Sequence, residues 1–130
     1  MSFDKTKSLE ELESEKMEKP DFQSSLILSV YRLWSTPLNL YSTEDLRLMI
    51  GQNISLKYLL PIAIDKLTEN PFVEGDFHYG DLLWSVLNVE STFWELHPQM
   101  YQEVLETVSG LSTILEEIIE SIKKFEELEV

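Results

Sequence analysis

Between Tyr101 and Phe125, apolar side chains recur at intervals of 3 and 4 residues in strict alternation: Tyr101, Val104, Val108, Leu111, Leu115, Ile118, Ile122 and Phe125. A strand turns alternate residues to one side, so only a helix lines these up on one face. Such a stripe has two ordinary partners, a second helix in a dimeric coiled coil or the core of a bundle. A coiled-coil dimer calls for opposite charges beside the seam. Here the flanks hold Leu105, Ser112 and Ile119 on one side and Thr107, Ile114, Ser121 and Leu128 on the other. An apolar face this wide predicts burial in a bundle. Gly110 lies on its path, which predicts either one helix with a weak point or two helices in phase.

The rest of the chain also reads as helices, and no segment keeps a strand-like alternation. Ser8-Leu-Glu-Glu11 has the spacing of a capping box and opens a helix predicted to stop near Lys19, before Pro20. Its apolar positions are few (Leu9, Leu12, Met17), so it is expected on the surface. Asp21 is placed to cap the next helix, which runs to about Ser35. There Phe22, Leu26, Ile27, Val30, Tyr31, Leu33 and Trp34 cover most of the circumference and predict a central position. Ser42-Thr-Glu-Asp45 begins a short helix that Gly51 suits as an end. Ser55 begins a buried one with Leu56, Leu59, Leu60, Ile62, Ala63, Ile64 and Leu67, kinked by Pro61. Residues 70–80 contain two Gly, one Pro and three aromatics, a composition that predicts an ordered, packed loop. Short helices follow, one from Gly80 or Asp81 with Leu82, Leu83, Val86 and Leu87, the other from Glu90 with Phe93, Trp94 and Leu96. Pro98 suits a first helical position. The expected fold is all-α: a single compact bundle of about six to eight helices over residues 1–130, with 1–7 the segment open to disorder.

The chain has 10 Lys plus Arg against 24 Asp plus Glu, a net charge of −14 at pH 7, with two His and no Cys. Without Cys there is no disulfide, thiolate zinc site or Cys nucleophile. The acidity argues against direct binding of nucleic acid, which needs a supply of Lys and Arg. No apolar run approaches the roughly 18 residues of a membrane span, so no membrane partner is expected. Met1-Ser-Phe-Asp-Lys lacks the apolar core of a signal peptide, which makes the cytoplasm the expected compartment. Residues 1–66 carry 8 basic and 10 acidic side chains, whereas residues 67–130 carry 14 acidic ones and only Lys123 and Lys124. An excess so localised points to a basic partner.

Little in the chain suggests catalysis. His78 and His97 fall on different elements, and no phosphate loop, paired His motif or nucleophile elbow appears. Asp76, His78 and Asp81 could in principle ligate a metal, but a loop His with acidic neighbours is more often structural, and no metal or other cofactor is expected. The carboxylates instead cluster by geometry. Glu116, Glu117 and Glu120 share the outer face of the last helix. Glu74, Asp76 and Asp81 lie in or beside the 70–80 loop with Phe72, Phe77, His78 and Tyr79, and Glu95 lies just beyond. Acids beside aromatics make a contact patch. The candidate partner-binding residues are therefore Glu74, Asp76, His78, Tyr79, Asp81, Glu95, Glu116, Glu117 and Glu120.

The run Pro37-Leu-Asn-Leu-Tyr-Ser-Thr-Glu-Asp-Leu-Arg-Leu-Met-Ile-Gly-Gln-Asn53, then Leu59-Leu-Pro-Ile-Ala63, Asn70-Pro-Phe-Val-Glu-Gly-Asp76 and Gly80-Asp-Leu-Leu83, resembles the immunity proteins of bacterial contact-dependent growth inhibition (CDI) systems. The Ser8-Leu-Glu-Glu-Leu-Glu13 opening is similar too, and the likeness spans about residues 8–97. His78-Tyr79 stands where that family leads one to expect an aromatic and Pro, and the C-terminal region has no counterpart. The resemblance implies a cytoplasmic, helical, non-catalytic protein. It binds the toxin domain at the C-terminal end of a large exported protein, as a monomer in a 1:1 complex. The toxin is commonly a basic nuclease whose active site is blocked or occluded. An acidic adaptor or nucleic-acid mimic acting on another basic protein is the alternative.

Overall fold

Capping side chains set where the first helices begin. In the computed structural model, which describes residues 2–21 and 24–130, helix α1 (Leu9–Glu13) starts at Ser8. The Ser8 hydroxyl accepts the Glu11 N–H at 3.3 Å, and the Glu11 carboxylate accepts the Ser8 N–H at 3.2 Å. α1 ends well short of Lys19. Ser14 turns left-handed (φ 53°) and donates its N–H to the Glu10 carbonyl, and no apolar side chain follows until Met17 to hold another turn down. Nor is α1 purely superficial, since Leu9 is fully buried.

Helix α2 (Ser25–Trp34) is capped by Ser24, whose hydroxyl accepts the Ile27 N–H at 3.1 Å, rather than by Asp21. Phe22, expected on this helix, lies outside the described residues. α2 is peripheral where a central helix was expected. Only Leu33 and Trp34 are buried, while Leu26 and Leu28 are exposed. Its last turn is the part held down. The Tyr41 hydroxyl donates to the Leu33 carbonyl at 2.7 Å, and the Trp34 indole N–H donates to the Glu15 carbonyl at 2.7 Å. A short 3-10 turn (Leu38–Leu40) follows Pro37. Its amides strap down residues 2–7: Leu38 N–H donates to the Lys7 carbonyl at 3.0 Å and Asn39 N–H to the Lys5 carbonyl at 2.8 Å.

The core forms where helices α3 (Thr43–Gly51), α4 (Leu56–Glu69) and α5 (Asp81–Leu87) meet. Leu46, Met49, Ile50, Leu59, Leu60, Ala63, Leu67, Leu82 and Val86 are each at most 1% exposed there. α3 begins with a second capping box, Ser42 with Asp45. α4 begins at Ser55, whose hydroxyl makes no cap bond, and continues through Pro61. Helices α6 (Ser91–Leu96) and α7 (Pro98–Val108) complete the body, with α7 packed on α4 through Val104 and Pro98 in its first turn. No strand occurs among the described residues. The molecule is an all-α bundle, and no helix among the described residues is long and apolar enough to cross a membrane.

The apolar stripe of residues 101–125 divides into two helices, one of the two expected courses, but only the first packs into the bundle, through Val104. Gly110 (φ 82°) divides it, and helix α8 (Leu111–Glu126) leaves the bundle. From residue 112 onward every position is exposed. Ile114, Leu115, Ile118, Ile119, Ile122 and Phe125 lie between 40% and 74% exposed. The bundle core is already closed by α3, α4, α5 and α7, so α8 contributes no buried residue to it.

Candidate partner-binding surface

The loop between α4 and α5 closes on itself. The Asn70 side-chain oxygen accepts the Phe72 N–H at 3.0 Å, and the Gly80 N–H donates to the Phe72 carbonyl at 3.2 Å. Gly80 is left-handed (φ 81°), the conformation that lets the loop turn directly into α5. Two side chains then grip it. Asp81, the first residue of α5 and only 3% exposed, accepts the N–H of Gly75 at 2.7 Å, of Phe77 at 3.1 Å and of His78 at 3.4 Å. Glu44, reaching over from α3, accepts the Asp76 N–H at 2.9 Å while both its oxygens are held by Arg47. A Cβ on Gly75 would lie 2.7 Å from the Glu44 oxygen, so the backbone approach needs glycine.

Electrostatics reinforce both grips. Burial pushes the Asp81 carboxyl up, but three backbone N–H donors and the nearby Arg47 outweigh it and leave the group below the ordinary carboxylate range. The Arg47 guanidinium likewise holds Glu44 low, against the effect of burial. Arg47 also sits 4.3 Å from the centre of the Phe77 ring, a cation–π contact that fixes one face of that ring and leaves the other to solvent.

Five of the nine sequence candidates therefore lie in or directly after one loop: Glu74, Asp76, His78 and Tyr79 within it and Asp81 at the start of α5. Glu74, Asp76, His78 and Tyr79 are exposed, and the His78 ring nitrogen Nδ1 lies 2.9 Å from the Tyr79 carbonyl. Asp81 is buried with its carboxylate in use, so it shapes the patch rather than lining it. The same geometry bears on a metal site. The Asp81 oxygens face amides, and among the described residues no group of three or more His, Asp and Glu is placed to hold an ion. Glu95 is exposed on α6, and Glu116, Glu117 and Glu120 on α8.

The loop and the helix after it carry three large, strongly exposed aromatics: Phe77 at 69%, Tyr79 at 79% and Trp84 at 64%. Trp84 was not among the sequence candidates. Its signal was present, because α5 buries Leu82, Leu83 and Val86 and so turns positions 84 and 87 outward.

No curated protein and no solved structure matches the chain. A family model described as CDI immunity proteins matches residues 11–104. That span runs from within α1 into α7 and includes the whole loop with Glu44, Arg47 and Asp81, and it stops before α8. With well over half of its length matched, the chain belongs to the family of CDI immunity proteins.

Proposed function

We propose that the chain neutralises a basic nuclease toxin by seating the 72–81 loop and the outer face of α5 on it and occluding its active site. CDI immunity proteins act by neutralising a CDI toxin, so the reading concerns which toxin class and which surface. The observation that carries it is the loop whose backbone is held by Asp81 and Glu44, with Phe77 and Tyr79 exposed on it near the exposed Glu74 and Asp76, and Trp84 exposed on the helix that follows. Rigid aromatics at the centre with acids at the rim are what a tight interface with a basic protein uses. No Lys or Arg stands between Lys66 and Lys123, so nothing on this stretch of chain opposes a basic partner. Complementary charge of this kind accelerates capture to on the order of 10⁸ M⁻¹s⁻¹ at low salt, which suits an inhibitor acting on a toxin delivered into the cytoplasm.

The test begins with the toxin domain encoded beside this chain. Co-expression should restore growth of cells making the toxin, and failure to rescue would sink the reading. With the purified pair, Phe77→Ala and Tyr79→Ala should each weaken binding about tenfold or more. Charge reversal at Glu74 and Asp76 should slow association and flatten its salt dependence. If all four substitutions leave binding intact while rescue holds, the toxin docks elsewhere, with Glu95 and the acids of α8 next in line.

A further inference from the structure

Past Leu111, which packs on the bundle core, helix α8 presents an apolar face that lies open among the described residues. We propose that two copies of the chain associate through α8, antiparallel, with the two-fold axis level with Glu120. This goes beyond the toxin reading and does not depend on it.

The argument starts from the seam. Within α8 the apolar positions Leu111, Leu115, Ile118, Ile122 and Phe125 recur every 4, 3, 4 and 3 residues over a helix of 16 residues, about 24 Å long. In an antiparallel pair the two kinds of seam position face each other across the axis. Centred at 120, Leu115 meets Phe125 of the second copy, and Ile118 meets Ile122 of the second copy, each pair occurring twice. Leucine then faces phenylalanine at the ends, and isoleucines fill the middle. Beside the seam Ile119 meets Ile119 of the second copy on one flank, and Ser121 meets Ser121 of the second copy on the other.

Charge placement selects the occupant. The flanking positions that a neighbour would crowd are Ser112, Ile114, Ile119, Ser121, Glu126 and Leu128, and of these only Glu126 is charged. A basic toxin would favour acids at those positions, and here only Glu126 is one. An anionic lipid surface would favour a polar face rich in Lys and Arg. This one has Glu116, Glu117, Glu120, Glu126 and Glu127 against Lys123 and Lys124. A second copy meets neither objection. In the antiparallel register Glu116 and Lys123 of the second copy lie on the same flank at the same height, and Glu117 and Lys124 of the second copy do so on the other. Lys124 already touches Glu120 of its own helix at 3.6 Å, an exposed pair that holds it weakly. A parallel pair would instead set Glu beside Glu and Lys beside Lys. The area suffices: seven half-exposed apolar side chains offer on the order of 500 Å² per copy, which brings the pair to the roughly 1,000 Å² of a specific interface.

The absence of native Cys makes the register directly testable in the full chain. Light scattering behind gel filtration at micromolar concentration should give twice the 15.2 kDa chain mass. Ile118→Glu should weaken the dimer at least about a hundredfold by putting a charge in the seam. Its circular dichroism melt at low concentration should match that of the wild type, because residue 118 lies outside the bundle core. Lys123→Glu with Lys124→Glu should weaken association about threefold or more, and mixing that variant with Glu116→Lys/Glu117→Lys should restore it. For orientation, Ile118→Cys mixed with Ile122→Cys should cross-link on mild oxidation, and neither should cross-link well alone. Strong self-cross-linking of Ile118→Cys would mean a parallel pair and overturn the proposal. So would a monomer at every concentration, including the case in which Ile118→Glu lowers affinity only for the toxin.

Discussion

Helices α4 and α8 are of similar length, 14 and 16 residues, and each has apolar side chains at every turn. Leu59, Leu60, Ala63 and Leu67 of α4 are at most 1% exposed, whereas Ile118, Ile119 and Ile122 of α8 remain about half exposed. Hydrophobicity does not separate them; neighbours do. α4 lies among α3, α5 and α7, while α8 follows a left-handed Gly110 out of the bundle. An apolar period says which face of a helix gains from cover, and leaves open whether the cover comes from the same chain. The largest expected effect tests this contrast directly. Leu59→Ala should cost about 2–5 kcal/mol of stability, since it opens a cavity in a closed core. Ile118→Ala in dilute solution should cost less than about 0.5 kcal/mol. Urea midpoints at constant slope measure both. Similar losses at the two sites would place α8 in a core after all.

The contrast extends to the loop, which gains its order from charge rather than from apolar burial. Asp81→Asn keeps the shape but removes the charge from a carboxylate that accepts three N–H groups, at a cost of about 1–3 kcal/mol. Its pH dependence has a definite sign. The folded-state carboxyl titrates below its ordinary value, so its contribution is complete above the unfolded pKa of about 3.9 and is lost as pH falls through the lower folded value. Glu44, also held low, acts in the same direction. The melting temperature should therefore fall as pH drops below about 4, and Asp81→Asn should lose less over that window. An unchanged acid profile in the variant would mean that the loop is held by other means.

Gly75→Ala probes the same grip with a smaller effect, about 1–2 kcal/mol. The added methyl falls 2.7 Å from a Glu44 oxygen that Arg47 holds in place, so loop or ion pair must move. Gly110→Ala meets no atom within 4 Å. Its cost is confined to the left-handed backbone, about 1 kcal/mol, and falls on the emergence of α8 rather than on the bundle. Protection of loop amides from hydrogen exchange separates the two, since only Gly75→Ala should expose the amides of Asp76 and Phe77.

How much of this was legible depended on whether the decisive contacts were local. The capping box at Ser8 needs only residues three apart and is legible as such, whereas at Ser42 the sequence marks the start of a helix and the structure adds the box with Asp45. The 70–80 loop was legible as ordered from its Gly, Pro and aromatic content, and its candidate acids cluster because they are contiguous. What holds them was hidden. Glu44 reaches the Asp76 amide across 32 residues, and the burial of Asp81 with its carboxylate on the loop amides is a tertiary fact. α2 shows the same limit. Its apolar circumference suggested a central helix, but only its last turn has neighbours, and Leu26 and Leu28 face solvent. Composition reported the demand for cover, and topology decided the supply.

The smallest expected effect is the one that most sharpens the difference between α4 and α8. Ile118→Ser with Ile122→Ser should leave the dilute-solution melt of the bundle within about 0.5 kcal/mol of wild type, because neither side chain touches the core. The two chains should part as concentration rises. Association stabilises the folded state by mass action, so the wild-type melting temperature should climb with protein concentration while the double variant stays flat. A difference that persisted at the lowest concentrations would show the bundle itself leaning on α8. A wild-type melt independent of concentration would mean that the face stays open in the free protein. Melts that coincide in dilute solution and separate only at high concentration would assign the stability of the body to the bundle and the cover of α8 to a second copy, which is what the proposed pairing expects.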